Sequence, residues 1–433
     1  MIHSAPLMHR TFLTKLLPVM AMLVMLPCQA AEWSVEPRLD LKAGYNDNIR
    51  LTTRDHDSVW ETAVTPRVKF GTAEENWGVH GNARASIRRF FGGDGAEDND
   101  ILDREDYFFN VDAYRRGERS EFTGLIDVVR DSTLDSELDE TGNVVDDRAT
   151  RFRRTISPGW SYSLTELMRF NANYSFTTVD FSDDPGQDNN IDYDYQVFSG
   201  SLTRQFTPKV QATLATSYSM YEPETDFDSN TLSVQVGIRR NFTETLTTDW
   251  LAGMRQTESD TGKLVPEGFC APPGGAFPDC TVGIPVVTGS KVRKNSDTDT
   301  GTVFSASITK LLESGQLSLS ASRESIPSSD GELLDTTRFI FNGEHRFTET
   351  LRTSLRAEYS NIEVIARASL NDRGDRDLYR VIPRIIWRFQ REWEIAGQYE
   401  YAKKDEDDES GNATRNAVYL TLSYRPDKLF ISR

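Results

Sequence analysis

The 433-residue sequence sets 49 Lys and Arg against 67 Asp and Glu, a formal net charge of -18, with a mean hydropathy of -0.52. A chain this acidic does not seek nucleic acid. Beyond the first thirty residues no stretch approaches the ~20 apolar residues that a membrane helix requires, so a membrane crossing would have to use strands.

Arg10 and Lys15 precede an apolar run from Leu16 to Leu26 and a small-residue site ending at Ala30. This is the layout of a secretory signal, too short to span a bilayer, and cleavage is expected after Ala30. Pro27 stands where a lipoprotein signal needs a small residue, so Cys28 is expected to leave with the signal. The expected organisation is a signal peptide at 1–30, a barrel over 31–425 and a short periplasmic tail at 426–433.

From residue 33 onward, segments alternate apolar and polar residues with period two, the signal of strands with one apolar and one wet face. In 33–45, Trp33, Val35, Leu39, Leu41, Ala43 and Tyr45 share one face, with Ser34, Glu36, Arg38, Asp40 and Lys42 on the other. Residues 351–360 repeat the pattern, setting Leu351, Leu355 and Tyr359 against Arg352, Arg356 and Glu358. A charged face is no packed core.

Short connections alternate with long acidic ones, the asymmetry of tight periplasmic turns and long external loops. The short turns repeat an aromatic or leucine followed by Thr, as in Leu164-Thr165-Glu166, Phe206-Thr207-Pro208, Phe242-Thr243-Glu244 and Phe347-Thr348-Glu349. Less regular turns fall near 73–76, 116–119, 313–315 and 390–392. About eight such turns predict an all-β fold, a transmembrane antiparallel β-barrel of about 18 strands. Long connections are expected near 51–58, 91–104, 131–147, 181–191, 222–230, 257–298, 325–335, 361–376 and 404–414.

Aromatic residues cluster at both strand ends, as two interfacial girdles require. Trp33, Trp77, Phe122, Trp160, Phe242, Phe347, Phe389 and Trp393 lie near short turns. Tyr45, Trp60, Tyr107, Tyr193, Tyr218, Tyr359, Tyr379 and Tyr401 lie near long loops. Pro37, Pro66, Pro158 and Pro383 each remove a ladder donor from a strand, which suggests a recurring bulge or kink.

The whole mature chain resembles the second β-barrel porin family, the type encoded in exopolysaccharide export loci and near exosortase sorting systems. The resemblance rests on four features in order along the chain. They are Gly44-Tyr45-Asn46-Asp47-Asn48-Ile49, the Pro-Arg strand starts, Arg130-Asp131-Ser132-Thr133-Leu134-Asp135-Ser136-Glu137-Leu138 with Thr141-Gly142, and the Leu/Phe-Thr-Glu turns. It implies an outer-membrane barrel serving polysaccharide secretion, with exopolysaccharide and periplasmic export components as partners and no defined catalytic residues. One departure is the end of the chain, where Tyr424 is followed by 425–433 instead of closing the sequence on an aromatic.

The candidate site is a lumen basic patch of Arg346, Arg352, Arg356, Arg380, Arg384 and Arg388 on three successive strands. The expected register sets Arg352 against Arg388 and Arg356 against Arg384, with Arg346 beside Arg352. Glu344, Glu358, Glu394 and Glu400 are the inward carboxylates available to neutralise it. Residual positive potential would favour anions, including an acidic exopolysaccharide. A diffusion porin is the alternative function.

Outer-membrane lipid and lipopolysaccharide are the expected surroundings, and acidic runs at 98–100, 183–188 and 405–409 could hold divalent cations beside lipopolysaccharide phosphates. Oxygen-rich runs without EF-hand spacing are more often solvated loops. Scattered His56, His80 and His345 give no metal set and no nucleophile–base pair, so neither enzyme activity nor a cofactor is expected.

Cys270 and Cys280 flank a Pro/Gly-rich spacer in a compartment that permits disulfides, and are expected to staple one surface loop. Closing so short a loop stabilises it locally by ~2–3 kcal/mol without being required for the barrel. Thiol labelling of intact, non-reduced cells should leave both cysteines unmodified; labelling of both would show the staple is not formed.

Overall fold

The computed structural model describes residues 32–431 apart from 54–57, 93–101, 142–148, 183–189, 226, 272–283, 368–374 and 407–410, and the backbone alone of 261–271, 284–295, 366–367 and 406. The expected signal peptide at 1–30, Cys280 and most of the acidic runs fall outside these residues.

Strands follow one another as β1 (Trp33–Asn46), β2 (Val59–Ala73), β3 (Trp77–Phe91), β4 (Arg104–Arg116) and β5 (Ser120–Ser132), after which comes helix α1 (Thr133–Glu140). Next are β6 (Thr150–Thr165), β7 (Met168–Ser182), β8 (Tyr193–Thr207), β9 (Val210–Pro223), β10 (Phe227–Thr243), β11 (Leu246–Ala271) and β12 (Ile284–Leu312). The chain ends with β13 (Gly315–Pro327), β14 (Glu332–Arg346), β15 (Leu351–Arg367), β16 (Arg376–Arg388), β17 (Trp393–Glu406), β18 (Asn412–Tyr424) and β19 (Leu429–Ile431). Each strand from β1 to β17 pairs antiparallel with the next, and Leu39–Asn46 of β1 against Ala417–Tyr424 of β18 closes the ring. The expected eighteen-stranded barrel is what forms, with all eight short turns at one end.

The period-two pattern decides which face meets lipid. On β1 and β15, Leu41 and Leu355 point outward and are exposed, whereas Asp40 and Glu358 point inward and are buried. Outward Val64, Ile87, Leu232, Val236 and Met254 continue the apolar band. Aromatic pairs such as Tyr45–Trp60 and Tyr359–Tyr379, with ring centroids 5.2 and 5.0 Å apart, flank it. A closed barrel with an apolar exterior, flanking aromatic rings and a polar lumen belongs in the outer membrane. Tyr193 departs from its expected girdle, because it points inward and is buried at the outer mouth.

Three expected loops are largely strand. The 222–230 and 325–335 connections shrink to 224–226 and 328–331, and β11 pairs with β12 as far as Ala271↔Ile284. The 131–147 connection holds α1.

Three of the four prolines make gaps, not bulges. Ladder pairing skips Thr65–Pro66 between Val64↔Ile87 and Arg67↔Arg84, and the register is the same on both sides of the gap. Identical gaps occur at Pro158 against β7 and at Pro383 against β17. A missing N–H costs a local hydrogen bond, and the flanking pairs hold the register. At Pro37 the effect is larger. Pairing of β1 with the end of the chain breaks between Val35 and Leu39, so 425–428 loop out and β19 resumes against Trp33–Val35. The expected periplasmic tail at 426–433 therefore contributes a short strand.

Since β18 alone supplies eight ladder pairs to β1, closure should survive truncation after Tyr424. The truncated protein should keep a heat-dependent gel shift but lose it at lower temperature. Absence of any heat-modifiable form would mean that β19 is needed to close the barrel.

Candidate functional site

Alternation places even-numbered residues of β14, β15 and β16 in the lumen, so the six arginines of the basic patch face inward as expected. Their register differs. Arg352 lies opposite Ile386, Ser354 opposite Arg384, Arg356 opposite Ile382 and Glu358 opposite Arg380. The sequence-based pairing is thus displaced by two residues, and no arginine of β15 faces one of β16. Arg346 does lie beside Arg352.

Much of the patch is neutralised by the expected carboxylates. Arg352 donates to Glu394 at 3.2 Å, Arg356 to Glu358 at 2.8 Å and Arg380 to Glu400 at 2.9 Å. Glu344, Arg346 and Arg388 are exposed toward the short-turn end.

The structure brings in a second set of residues through α1. Leu134 and Leu138, four apart, share one helix face; Asp135 and Asp139 share the adjacent one. Leu138 packs with Leu51, Leu378, Ala402 and Ala413, and Leu134 with Val59, Phe90 and Leu102. These contacts seat the helix against the lumen wall from β16 round to β3. Asp135 accepts from Arg88 at 2.6 Å and from Arg104, Asp139 accepts from Arg380 at 2.5 Å, and Glu140 accepts from Arg151 and Arg153 at 2.6 Å each. Arg338 donates to the carbonyls of Asp139 and Glu140, satisfying acceptors that a helix C-terminus leaves open. Burial works against charge on Asp135, yet the guanidinium groups of Arg104 and Arg88, with Lys42 and Arg415 behind them, hold its carboxyl well below the usual carboxylate range.

The rest of the mouth is crossed by the β13–β14 hairpin. Its pairing with β12 stops at Phe304↔Arg323, while β13 and β14 stay paired to Pro327↔Leu333. Released from β12 on one side, while β14 stays paired with β15 as far as Glu332↔Arg367, the tip reaches across. Leu333 packs with Val179, Tyr193, Tyr221 and Phe227, and the Ile191 N–H donates to the Ser329 carbonyl at 2.8 Å. Gly331 adopts φ +74° there, and a Cβ on it would lie 2.6 Å from Ile191 Cδ1. Glycine takes that left-handed backbone without strain, and any larger residue would also have to displace the end of the Ile191 side chain.

Glu137 sits where α1 meets this tip. It is buried, and Arg151 of β6, Asp330 of the tip and Glu140 of its own helix act on it electrostatically, while its own charge acts on the phenols of Tyr193 and Tyr221. Burial pushes its carboxyl up to about 7; Arg151 pulls the other way, and the negative charges of Asp330 and Glu140 add to the rise.

Among the described residues no group of His, Cys, Asp and Glu could hold a metal ion. Cys270 lies on β11 opposite Pro285. Sequence reasoning missed α1 and its partners on β3, β4 and β6. The Leu134/Leu138 and Asp135/Asp139 spacings are the one signal that could have found it.

No family model and no curated protein matches this sequence. Among solved structures the chain is similar to OpdQ of Pseudomonas aeruginosa at 11% identity and a TM-score of 0.43, over 92% of this chain and 98% of that one. OccAB3 of Acinetobacter baumannii matches at 12% identity and 0.44, over 92% and 99%. The ferric-catecholate import receptor Fiu of E. coli K12 matches at 9% and 0.43, over 92% and 82%. These likenesses lie at the level of barrel architecture.

Because the Glu137 carboxyl binds its proton more tightly when α1 is seated, seating weakens as pH rises from the ordinary value of 4.5 through about 7. The penalty is on the order of 3 kcal/mol once the group is ionised. Single-channel conductance of reconstituted protein should therefore increase as pH passes about 7, and Glu137→Gln should remove that dependence. A pH-independent wild type, or an unchanged profile in the variant, would mean that Glu137 does not govern the seat.

Proposed function

We propose that this outer-membrane barrel is a channel that takes part in exopolysaccharide export, with the polymer passing through the lumen. The observation that carries the proposal is the chemistry of the wall from β7 to β10. Asn171, Asn173, Ser199, Ser201, Ser217 and Gln235 line a groove there of about 400 Å³. Hydroxyl and amide side chains on rigid strands exchange hydrogen bonds with sugar hydroxyls and hold no fixed charge. In a ring of eighteen strands this neutral arc lies opposite the charged arc formed by β15 to β18. The order of motifs along the chain supports the same reading.

A diffusion porin is the second reading, favoured by the fixed acidic helix that narrows a water-accessible lumen. The two readings part on one comparison. Deletion of the gene should lower secreted polysaccharide severalfold while uptake of small hydrophilic solutes stays the same. Unchanged secretion with slower solute uptake would instead assign the barrel to diffusion.

A further inference from the structure

We propose that Arg67, Arg84 and Arg384, with the amide and hydroxyl side chains around them, form a binding site for the carboxylates of an acidic sugar chain. The proposal rests on the export reading and names the class of polymer.

The lumen arginines fall into two layers. At the level of α1, Arg88, Arg104, Arg151, Arg153 and Arg380 all have carboxylate partners, several supplied by the helix itself. On β3, Arg84 lies four residues nearer the short turns than Arg88, about 13 Å along the strand. Arg67 and Arg384 lie on the same side of their strands. In this lower layer Arg38, Arg67 and Arg84 stand directly opposite one another across three strands. Adjacent like charges on one sheet face repel unless something compensates them.

Asp40 and Ser423 hold Arg38. Arg67, Arg84 and Arg384 make no ion pair with a described residue, and the buried Nε of each has no hydrogen-bond partner. Arg384 also lies within electrostatic reach of Arg38 and Arg352. The carboxylates that act on it most are Glu394 and Asp40, and both are already engaged with other arginines.

These arginines are positioned without being neutralised. The Arg84 guanidinium lies 3.7 Å over the centre of the Phe108 ring, which fixes its plane and leaves its N–H edges available. Arg384 borders a groove of about 380 Å³ with the amides and hydroxyls of Gln316, Ser318, Asn342, Ser354 and Gln398, where Arg356 and Glu344 at its edge offset one another in charge. Asn82, next inward of Arg84 on β3, has a buried and unpartnered Oδ1. A planar guanidinium takes a carboxylate through two parallel N–H bonds, and the amides and hydroxyls suit ring hydroxyls.

The two ends of the site, Arg84 on β3 and Arg384 on β16, are five strand spacings apart, about 24 Å round the wall. A single small anion cannot bridge that distance, whereas a chain bearing a carboxylate on successive sugars can.

The test is calorimetric titration of the full-length mature protein in detergent micelles. The probes are a uronic-acid oligomer, a neutral gluco-oligomer of the same length and inorganic phosphate. Wild type should bind the uronate oligomer at least about tenfold more tightly than the neutral one, with affinity falling as salt is raised. The Arg67→Gln/Arg84→Gln/Arg384→Gln variant, shown to be folded by its heat-dependent gel shift, should lose that difference. Should the triple variant not fold, Arg84→Gln and Arg384→Gln are titrated singly, and each should lose part of it.

Equal affinity of wild type for both oligomers, or full discrimination in the folded variants, overturns the site. Displacement of the uronate oligomer by an equimolar amount of phosphate overturns the sugar class. Micellar binding needs no transport, so this result and the secretion phenotype can fail separately.

Discussion

Hydrocarbon offers a peptide group no hydrogen-bond partner, and that single constraint organises the molecule. Every strand must have a neighbour on both sides, so the sheet must close through β1 and β18. Closure then sorts the side chains. Whatever meets hydrocarbon has to be apolar, and most of the charge that the chain carries along its strands is driven into one enclosed space. The prolines mark the tolerance of this arrangement, since single missing donors at Pro66, Pro158 and Pro383 are absorbed without shifting any register.

Concentrating charge in the lumen creates a second problem, namely how adjacent guanidinium groups coexist. At the outer level the answer is acidic side chains delivered from a connection, with α1 presenting Asp135, Asp139 and Glu140 to arginines on β3, β4, β6 and β16. Closer to the short turns, strand carboxylates such as Glu394 and Glu358 serve some arginines and leave others unmatched. The neutral wall of β7 to β10 needs no such balance. The lumen is thus asymmetric around its axis as well as layered along it.

The barrel was legible because its determinants are local: alternation along each strand, and a repeated turn motif between strands. The register across a long external loop was not. A displacement of two residues leaves every side chain on its own face, so hydrophobic pattern cannot separate Arg352↔Ile386 from the expected Arg352↔Arg388. Tyr193 was misplaced for a related reason, since an aromatic at a strand end suits a lipid interface and a packed mouth equally well. The helix escaped notice because eight residues are barely two turns, and its stability comes from contacts with distant strands that no local pattern reports.

Helix α1 is held at several points at once, by two leucines, three carboxylates and its C-terminal carbonyls, on walls that face each other. Such attachment is multivalent. When one contact breaks, the others keep the freed group at high effective concentration beside its partner, and it rebinds before the rest can part. Release of the helix would consequently be close to all-or-none, making the outer mouth a two-position element.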